Sequence, residues 1–162
     1  MFKKIFYYFI KKFIVLIKIF KFKTLLFDKI IFYIGYNYLS SHRQNYKKIK
    51  YLYEADYKIF SQNGEDGILD YIIQSLNLEM PNFVEIGVGN YRESNTRFLY
   101  NNFYSKGLII DCLDNLEKKV KPYVNLWKGD LKICQKSVNT SNINEILTNQ
   151  CNFKIDVFSI DI

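Results

Sequence analysis

A short apolar strand that carries a carboxylate and runs into a double-glycine turn limits the folds open to this chain more than any other feature. Residues 83–89 read Phe-Val-Glu-Ile-Gly-Val-Gly, which places Glu85 in the strand directly before the turn. A second apolar run at residues 107–111 ends in Asp111, 26 positions after Glu85. This separation is about one β-α-β unit, so both carboxylates are predicted at the carboxyl edge of neighbouring parallel strands, where such sheets bind ligands.

Hydrophobic periodicity and cap signals predict alternating strands and helices around these two runs. Asn63, Ser94 and Asn142 are predicted helix N-caps, and Asp66 and Glu145 each follow a cap by three positions. The alternation implies a parallel sheet. The doubly-wound arrangement would order its strands 3-2-1-4, with the fourth strand as an exposed apolar edge. The other predicted elements are a helix at 64–76, a helix after Ser94 that ends at Gly107, strands at 108–111 and 131–138, a helix at 143–147 and a strand at 153–160.

The residues after the glycines decide which cofactor the turn suits. A dinucleotide fingerprint requires a third glycine, and Arg92 stands at that position. An acidic residue before the turn would also repel a pyrophosphate, whereas it suits a cationic ligand without phosphate. The sequence therefore favours S-adenosylmethionine over NAD.

Five sequence blocks in order resemble the FkbM-type family of S-adenosylmethionine-dependent methyltransferases over roughly residues 58 to 162. In two respects the chain departs from the family: many relatives carry a glycine where this chain has Tyr91, and the family's last block continues into an Asp-Gly segment where this sequence ends at Ile162. The blocks are Ser-Gln-Asn-Gly-Glu-Asp-Gly at 61–67, Phe-Val-Glu-Ile-Gly-Val-Gly-Asn-Tyr-Arg-Glu-Ser-Asn-Thr at 83–96, Gly-Leu-Ile-Ile-Asp at 107–111, Ser-Asn-Ile-Asn-Glu at 141–145 and Phe-Ser-Ile-Asp-Ile at 158–162.

The resemblance implies an α/β fold with a Rossmann-like class I methyltransferase sheet. A complete sheet of that class has seven strands and this sequence supplies four, so we expect a partial domain, truncated after strand four and inactive as it stands. The activity implied is O-methylation of a small molecule or of a glycan sugar. The alternative is a non-catalytic remnant that acts as a membrane-surface or protein-interaction module.

The resemblance also assigns roles to individual residues. Asp161 is the catalytic candidate, since it closes strand four where it would face the acceptor or the sulfonium, although backbone amides could equally satisfy it. Glu85 could instead cap the following helix, and the block at 61–67 either folds over the cofactor or caps a helix. The cofactor-binding candidates are Glu85, Gly87 and Gly89 at the methionine end, Asn95 and Thr96 near its carboxylate, Asp111 at the ribose and Asn139 near the adenine.

Charge divides the chain into two parts. Residues 1–50 hold twelve Lys or Arg against the single acid Asp28, a net charge of +11, whereas residues 51–162 carry a net charge of −4. The second part therefore gives no support to nucleic-acid binding. We predict a basic amphipathic helical segment at 1–38, a linker at 39–57 and the methyltransferase-like domain at 58–162.

The basic segment predicts attachment to a surface rather than a membrane span. Lys4, Lys11 and Lys18 recur every seven residues beside an apolar face, a pattern typical of a helix lying on anionic lipid. The alternative is a helix docked on the protein's own core or on a partner. One histidine and three cysteines without C-x-x-C spacing predict no metal site and a reducing compartment. We expect a cytoplasmic protein, peripheral to the inner face of the membrane.

Overall fold

A four-stranded, all-parallel sheet forms the centre of the computed structural model, which describes residues 26–124 and 129–162 together with Lys12. Residues 26–42 are helical and are called α1 below. The strands are β1 Phe83–Ile86, β2 Gly107–Asp111, β3 Leu131–Gln135 and β4 Val157–Ile160. The other helices are α2 Glu65–Ser75, α3 Arg97–Phe103, α4 Leu116–Val120 and α5 Ile143–Gln150, with 3-10 turns at Arg43–Lys48, Leu52–Ala55 and Lys121–Tyr123.

The strand order is β3-β2-β1-β4, which confirms the predicted α/β class and the predicted order. Such a sheet is compatible with a Rossmann-like fold. In the register, Glu85 of β1 lies beside Ile109 of β2 and Ser159 of β4. Within the described residues β4 is an edge strand with Phe158 and Ile160 exposed, as predicted. The sheet order places the ends of β1, β2 and β4 side by side.

Each face of the sheet packs into its own hydrophobic core. Phe83 and Ile109 belong to the core that also holds Ile73 of α2 and Leu99 of α3. The alternate residues of β1 and β2 pack on the opposite face with Ile146 of α5. Because side chains alternate along a strand, Glu85 shares the face of Phe83 and points toward the α2 and α3 side. This orientation determines what the Glu85 carboxylate can contact.

Two predicted helix signals, Ser94 and Gly107, are wrong because tertiary contacts involve these residues instead. Ser94 does not cap α3, whose N-cap is Thr96, since the Ser94 hydroxyl donates to Glu85 instead. Gly107 opens β2 rather than ending α3, and a Cβ there would lie 2.3 Å from the ring of Phe83. Gly107 therefore serves the close approach of β1 and β2, while α3 ends at Tyr104 with φ +54°.

The remaining cap predictions also differ from the structure. The N-cap of α2 is Gly64, not Asn63. Asn142 is the N-cap of α5 but makes no side-chain cap bond, because its Oδ1 accepts from the Asn139 amide and thereby closes the loop before the helix. Strands β3 and β4 are shorter than predicted, and α5 is longer, reaching Gln150.

α1 continues across the predicted boundary at residue 38 and contacts the domain. Leu39 is buried with Ile59, Phe60 and Phe98, and Phe32 packs against the same cluster. The predicted linker at 39–57 contains the end of α1 and two 3-10 turns. The lysine-flanked pattern before residue 26 lies outside the described residues, apart from Lys12. Where the chain is described, no helix combines the length and the apolar character needed to cross a bilayer.

Candidate functional site

A cavity of about 290 Å³ opens at the carboxyl ends of β1 and β4. The glycine turn at residues 87–90 forms its floor, and Glu93 and Ser94 continue that wall. Gln62, from the loop before α2, and Asp161, directly after β4, complete the lining. The cavity thus lies at the carboxyl edge of the parallel sheet, where the sequence positions of Glu85 and Asp111 predicted a ligand site.

The two glycines of the turn serve different needs. Gly87 has φ +84°, and a Cβ at this position would lie 1.9 Å from the carbonyl oxygen of Asp161. Its amide donates to Ile110 at 2.9 Å, so Gly87 joins the ends of β1, β2 and β4. Gly89 has φ +53°, but a Cβ there would meet nothing within 4 Å. Gly87 is therefore required by close backbone approach, while Gly89 leaves open space at the cavity.

Glu85 is fully buried and binds residues 94–96, beside the cavity wall, from the core side. Its two carboxylate oxygens accept from the Asn95 amide at 3.0 Å, from the Thr96 amide at 3.1 Å and the Thr96 hydroxyl at 2.6 Å, and from the Ser94 hydroxyl. Burial raises the pKa of Glu85 above its ordinary value, and these donors partly offset that rise. The geometry is that of a carboxylate capping the next helix, and its assignment to the methionine end stays a prediction.

Asp111 lies at the end of β2 and is only partly buried. One carboxylate oxygen accepts from the Gly89 amide and the other from the Leu113 amide, both at 2.8 Å. Asp111 therefore anchors the glycine turn to β2. Each oxygen keeps a second lone pair for a further donor.

A second buried carboxylate shapes the loop that carries Gln62. The Asp66 Oδ2 atom accepts from the amides of Ile59 at 2.7 Å, Phe60 at 2.6 Å and Ser61 at 2.8 Å. Burial raises the pKa of Asp66 despite these bonds. Glu85 and Asp66 thus hold two loops on either side of the cavity by the same means, a buried acceptor facing several backbone donors.

The other predicted site residues are not all brought together. Asp161 lines the cavity, and its amide donates to Ile86 at 2.9 Å. Asn95 lies behind the wall, where its Nδ2 donates to the Ser159 hydroxyl at 3.3 Å, and Thr96 is fully buried. Asn139 turns toward Ser141 and Asn142 in the loop before α5 and does not line the cavity.

The sequence prediction missed Asn90 and Glu93 as lining residues, gave Ser94 only as a helix cap, and left Gln62 undecided between a cofactor contact and a helix cap. The polar run after the glycines was the available signal for the first two. With Glu93 and Asp161 the lining holds two carboxylates and, among the described residues, no lysine, arginine or histidine. In residues 26–124 and 129–162 no group of three His, Cys, Asp or Glu side chains is placed to hold a metal ion. The cavity is therefore acidic.

Tyr91 follows the lining residues at the position where relatives of the resembled family carry glycine. Its φ of +66° lies in the left-handed region that favours glycine. The ring is fully buried in the core, and its hydroxyl lies 3.1 Å from the Thr96 hydroxyl. Burial of the ring offsets the backbone strain, so the turn keeps a glycine-like path with a tyrosine in place.

Comparisons of the chain with protein-family models, with curated proteins and with solved structures found no match. The family resemblance of the sequence blocks therefore stays a prediction.

Proposed function

We propose that this chain belongs to an S-adenosylmethionine-dependent methyltransferase of FkbM type, with a hydroxyl of a small molecule or glycan sugar as the methyl acceptor. The observation that carries the proposal is the acidic cavity at the carboxyl edge of β1 and β4, beside a double-glycine turn. A nucleoside ligand at this edge is typical of open parallel sheets. The acceptor class comes from the family resemblance alone.

The charge of the lining supports a cationic ligand. Glu93 and Asp161 would attract the sulfonium and ammonium groups of S-adenosylmethionine, and the same two carboxylates would repel the pyrophosphate of a dinucleotide. The open space beside Gly89 lets a ligand approach the backbone closely. The residues present therefore fit the proposed cofactor better than NAD.

Each residue has a distinct part in this proposal. Asp111 holds the Gly89 amide and offers its remaining lone pairs to the ribose hydroxyls. Glu85 is a positioning residue that fixes residues 94–96 behind the wall. Asp161 faces the cavity, where its carboxylate can accept the proton of an acceptor hydroxyl.

S-adenosylmethionine supplies an electrophilic methyl group on a positively charged sulfur. The protein's own contribution is alignment, because an in-line displacement needs the acceptor oxygen held opposite the leaving sulfur. The carboxylates orient the cationic centre, and the turn fixes the position of the backbone beside it.

Isothermal titration of the chain with S-adenosylmethionine, S-adenosylhomocysteine and NAD tests the proposal. We expect the sulfonium form to bind tightest, because it alone carries the additional positive charge at sulfur. Asp161→Asn should reduce the preference for S-adenosylmethionine over S-adenosylhomocysteine, whereas Asp114→Asn, an exposed carboxylate in the loop after β2, should leave it unchanged. Binding of NAD without binding of either adenosyl compound would refute the proposal.

The second candidate is a non-catalytic interaction module. An exposed apolar stripe on α1, described below, is the observation that favours it. A chain that binds no adenosyl ligand while keeping its fold would support this candidate.

A further inference from the structure

The described part of α1 exposes an apolar face although its opposite side is docked on the domain. The α1 stripe consists of Leu26, Phe27, Ile30, Tyr33 and Ile34, which recur at helical spacing on one side of the helix. Phe27, Tyr33 and Ile34 are 62%, 63% and 61% exposed. Farther along the same side, Asn37 and Ser41 are polar, so the stripe ends within the helix.

The contacts of α1 fix which side faces outward. Phe32 stacks on Phe60 with 6.3 Å between ring centroids, and Leu39 is buried beside it. A Cβ at Gly35 would lie 2.5 Å from Ile59, so the helix backbone rests directly on the domain. The stripe is therefore held away from the core by packing on the opposite side.

An ion pair locks the same orientation and removes the only negative charge of the segment from the outer face. Asp28 is the single acid among residues 1–50, and it accepts from Arg97 of α3 at 2.7 Å. The Arg97 guanidinium is almost fully buried and lies 3.8 Å from the centroid of the Phe60 ring. Asp28 is thus paired to the domain, and residues 1–50 hold eleven lysines and one arginine, of which Arg43 is itself paired with Asp70 at 2.6 Å.

We propose that the α1 stripe is a docking surface for an anionic membrane. Residues 1–50 combine this row of large apolar side chains with a net charge of +11. Interfacial helices use the same two components, burial of apolar side chains in the acyl boundary and attraction to acidic headgroups. The complementary partner is a surface that is both apolar and negatively charged. The domain would be held at the membrane through the side of α1 opposite the Asp28–Arg97 pair.

The membrane test uses the full chain and sedimentation with phosphatidylcholine vesicles, with and without about 30% phosphatidylserine. Wild type should bind the anionic vesicles and lose binding as salt rises from about 0.1 M to about 0.5 M. Phe27→Ser with Ile34→Ser should weaken binding by about tenfold or more, since two large apolar side chains no longer enter the boundary. The matched control, Leu76→Ser with Met80→Ser, removes two equally exposed apolar side chains elsewhere and should bind as wild type.

A site-specific readout complements the loss of binding. In a Trp127→Phe background, which removes the one native tryptophan, bromolipid vesicles should quench the fluorescence of a Phe27→Trp variant but not that of a Tyr53→Trp variant. Equal vesicle binding by the stripe variant and wild type, or quenching at position 53 but not 27, would overturn the proposal. So would self-association in solution, measured by sedimentation velocity, that the stripe variant abolishes and the control keeps, because the stripe would then join two copies of the chain.

Discussion

The ends of β1 and β2 look alike in the sequence and differ in the structure. Each strand carries one carboxylate near its end, Glu85 or Asp111, on the same face of the sheet. Glu85 is buried beneath residues 94–96 and accepts from the Ser94 and Thr96 hydroxyls and from two backbone amides. Asp111 is only partly buried and accepts from two backbone amides alone. Glu85 therefore fixes the loop that forms one wall of the cavity, while Asp111, which does not line the cavity, anchors the Gly89 amide and stays partly exposed.

Removing the Glu85 side chain should have the largest effect. Glu85→Ala leaves buried hydroxyl and amide donors without an acceptor, and we expect it to lower the free energy of unfolding by about 3 kcal/mol or more. Asp111→Ala should lower the free energy of unfolding by only about 1 kcal/mol, because water can reach the backbone donors that lose their acceptor. Urea denaturation of both variants measures the difference. Equal losses would show that the two strand ends are equivalent in stability.

Substitutions of the two glycines of the turn should give smaller stability losses that also differ from each other. Gly89→Ala should lower the free energy of unfolding by about 1–2 kcal/mol, which is the strain of a left-handed backbone alone. Gly87→Ala should cost more, because the added Cβ would also overlap the Asp161 carbonyl. The same denaturation experiment ranks the variants, and a larger loss for Gly89→Ala would contradict the tight junction of β1 with β4.

The pH dependence of stability isolates the burial of Glu85. Its pKa is raised above 4.5 in the folded state, so its contribution to stability is fully present below about pH 4.5 and is lost as the pH rises through the raised value. The stability of wild type relative to Glu85→Gln should fall over that range by about 1.4 kcal/mol for each pH unit between the two pKa values. Denaturation at several pH values checks this, and a difference that grows with pH would mean that the carboxylate is stabilised as the anion.

Features encoded by local pattern were predictable from the sequence. The strand of Glu85, the glycine turn and the strand of Asp111 follow from short apolar runs and turn residues. The parallel sheet follows from the alternation of elements, and its order from the doubly-wound arrangement. The cavity at the strand ends follows from that order. Helix α2 was also predicted to within one residue at each end.

Features that depend on which loop folds over which strand were not predictable. Ser94 has the sequence signature of a helix cap, but its hydroxyl is taken by a buried carboxylate nine positions earlier. Gly107 resembles a helix end, but it is needed because the ring of Phe83 passes close to it. Glu93 lines the cavity directly before residues 94–96, which Glu85 holds in place. Each case is a tertiary contact that overrides a local preference.

Titration of Asp111→Asn with S-adenosylmethionine tests most directly whether Asp111 serves the proposed ligand while Glu85 serves the fold. The variant should keep nearly wild-type stability and lose about 1–3 kcal/mol of binding free energy, because the ribose hydroxyls lose a charged acceptor. Asp114→Asn, three residues away, should bind as wild type. Unchanged affinity in a folded Asp111→Asn variant would contradict the account.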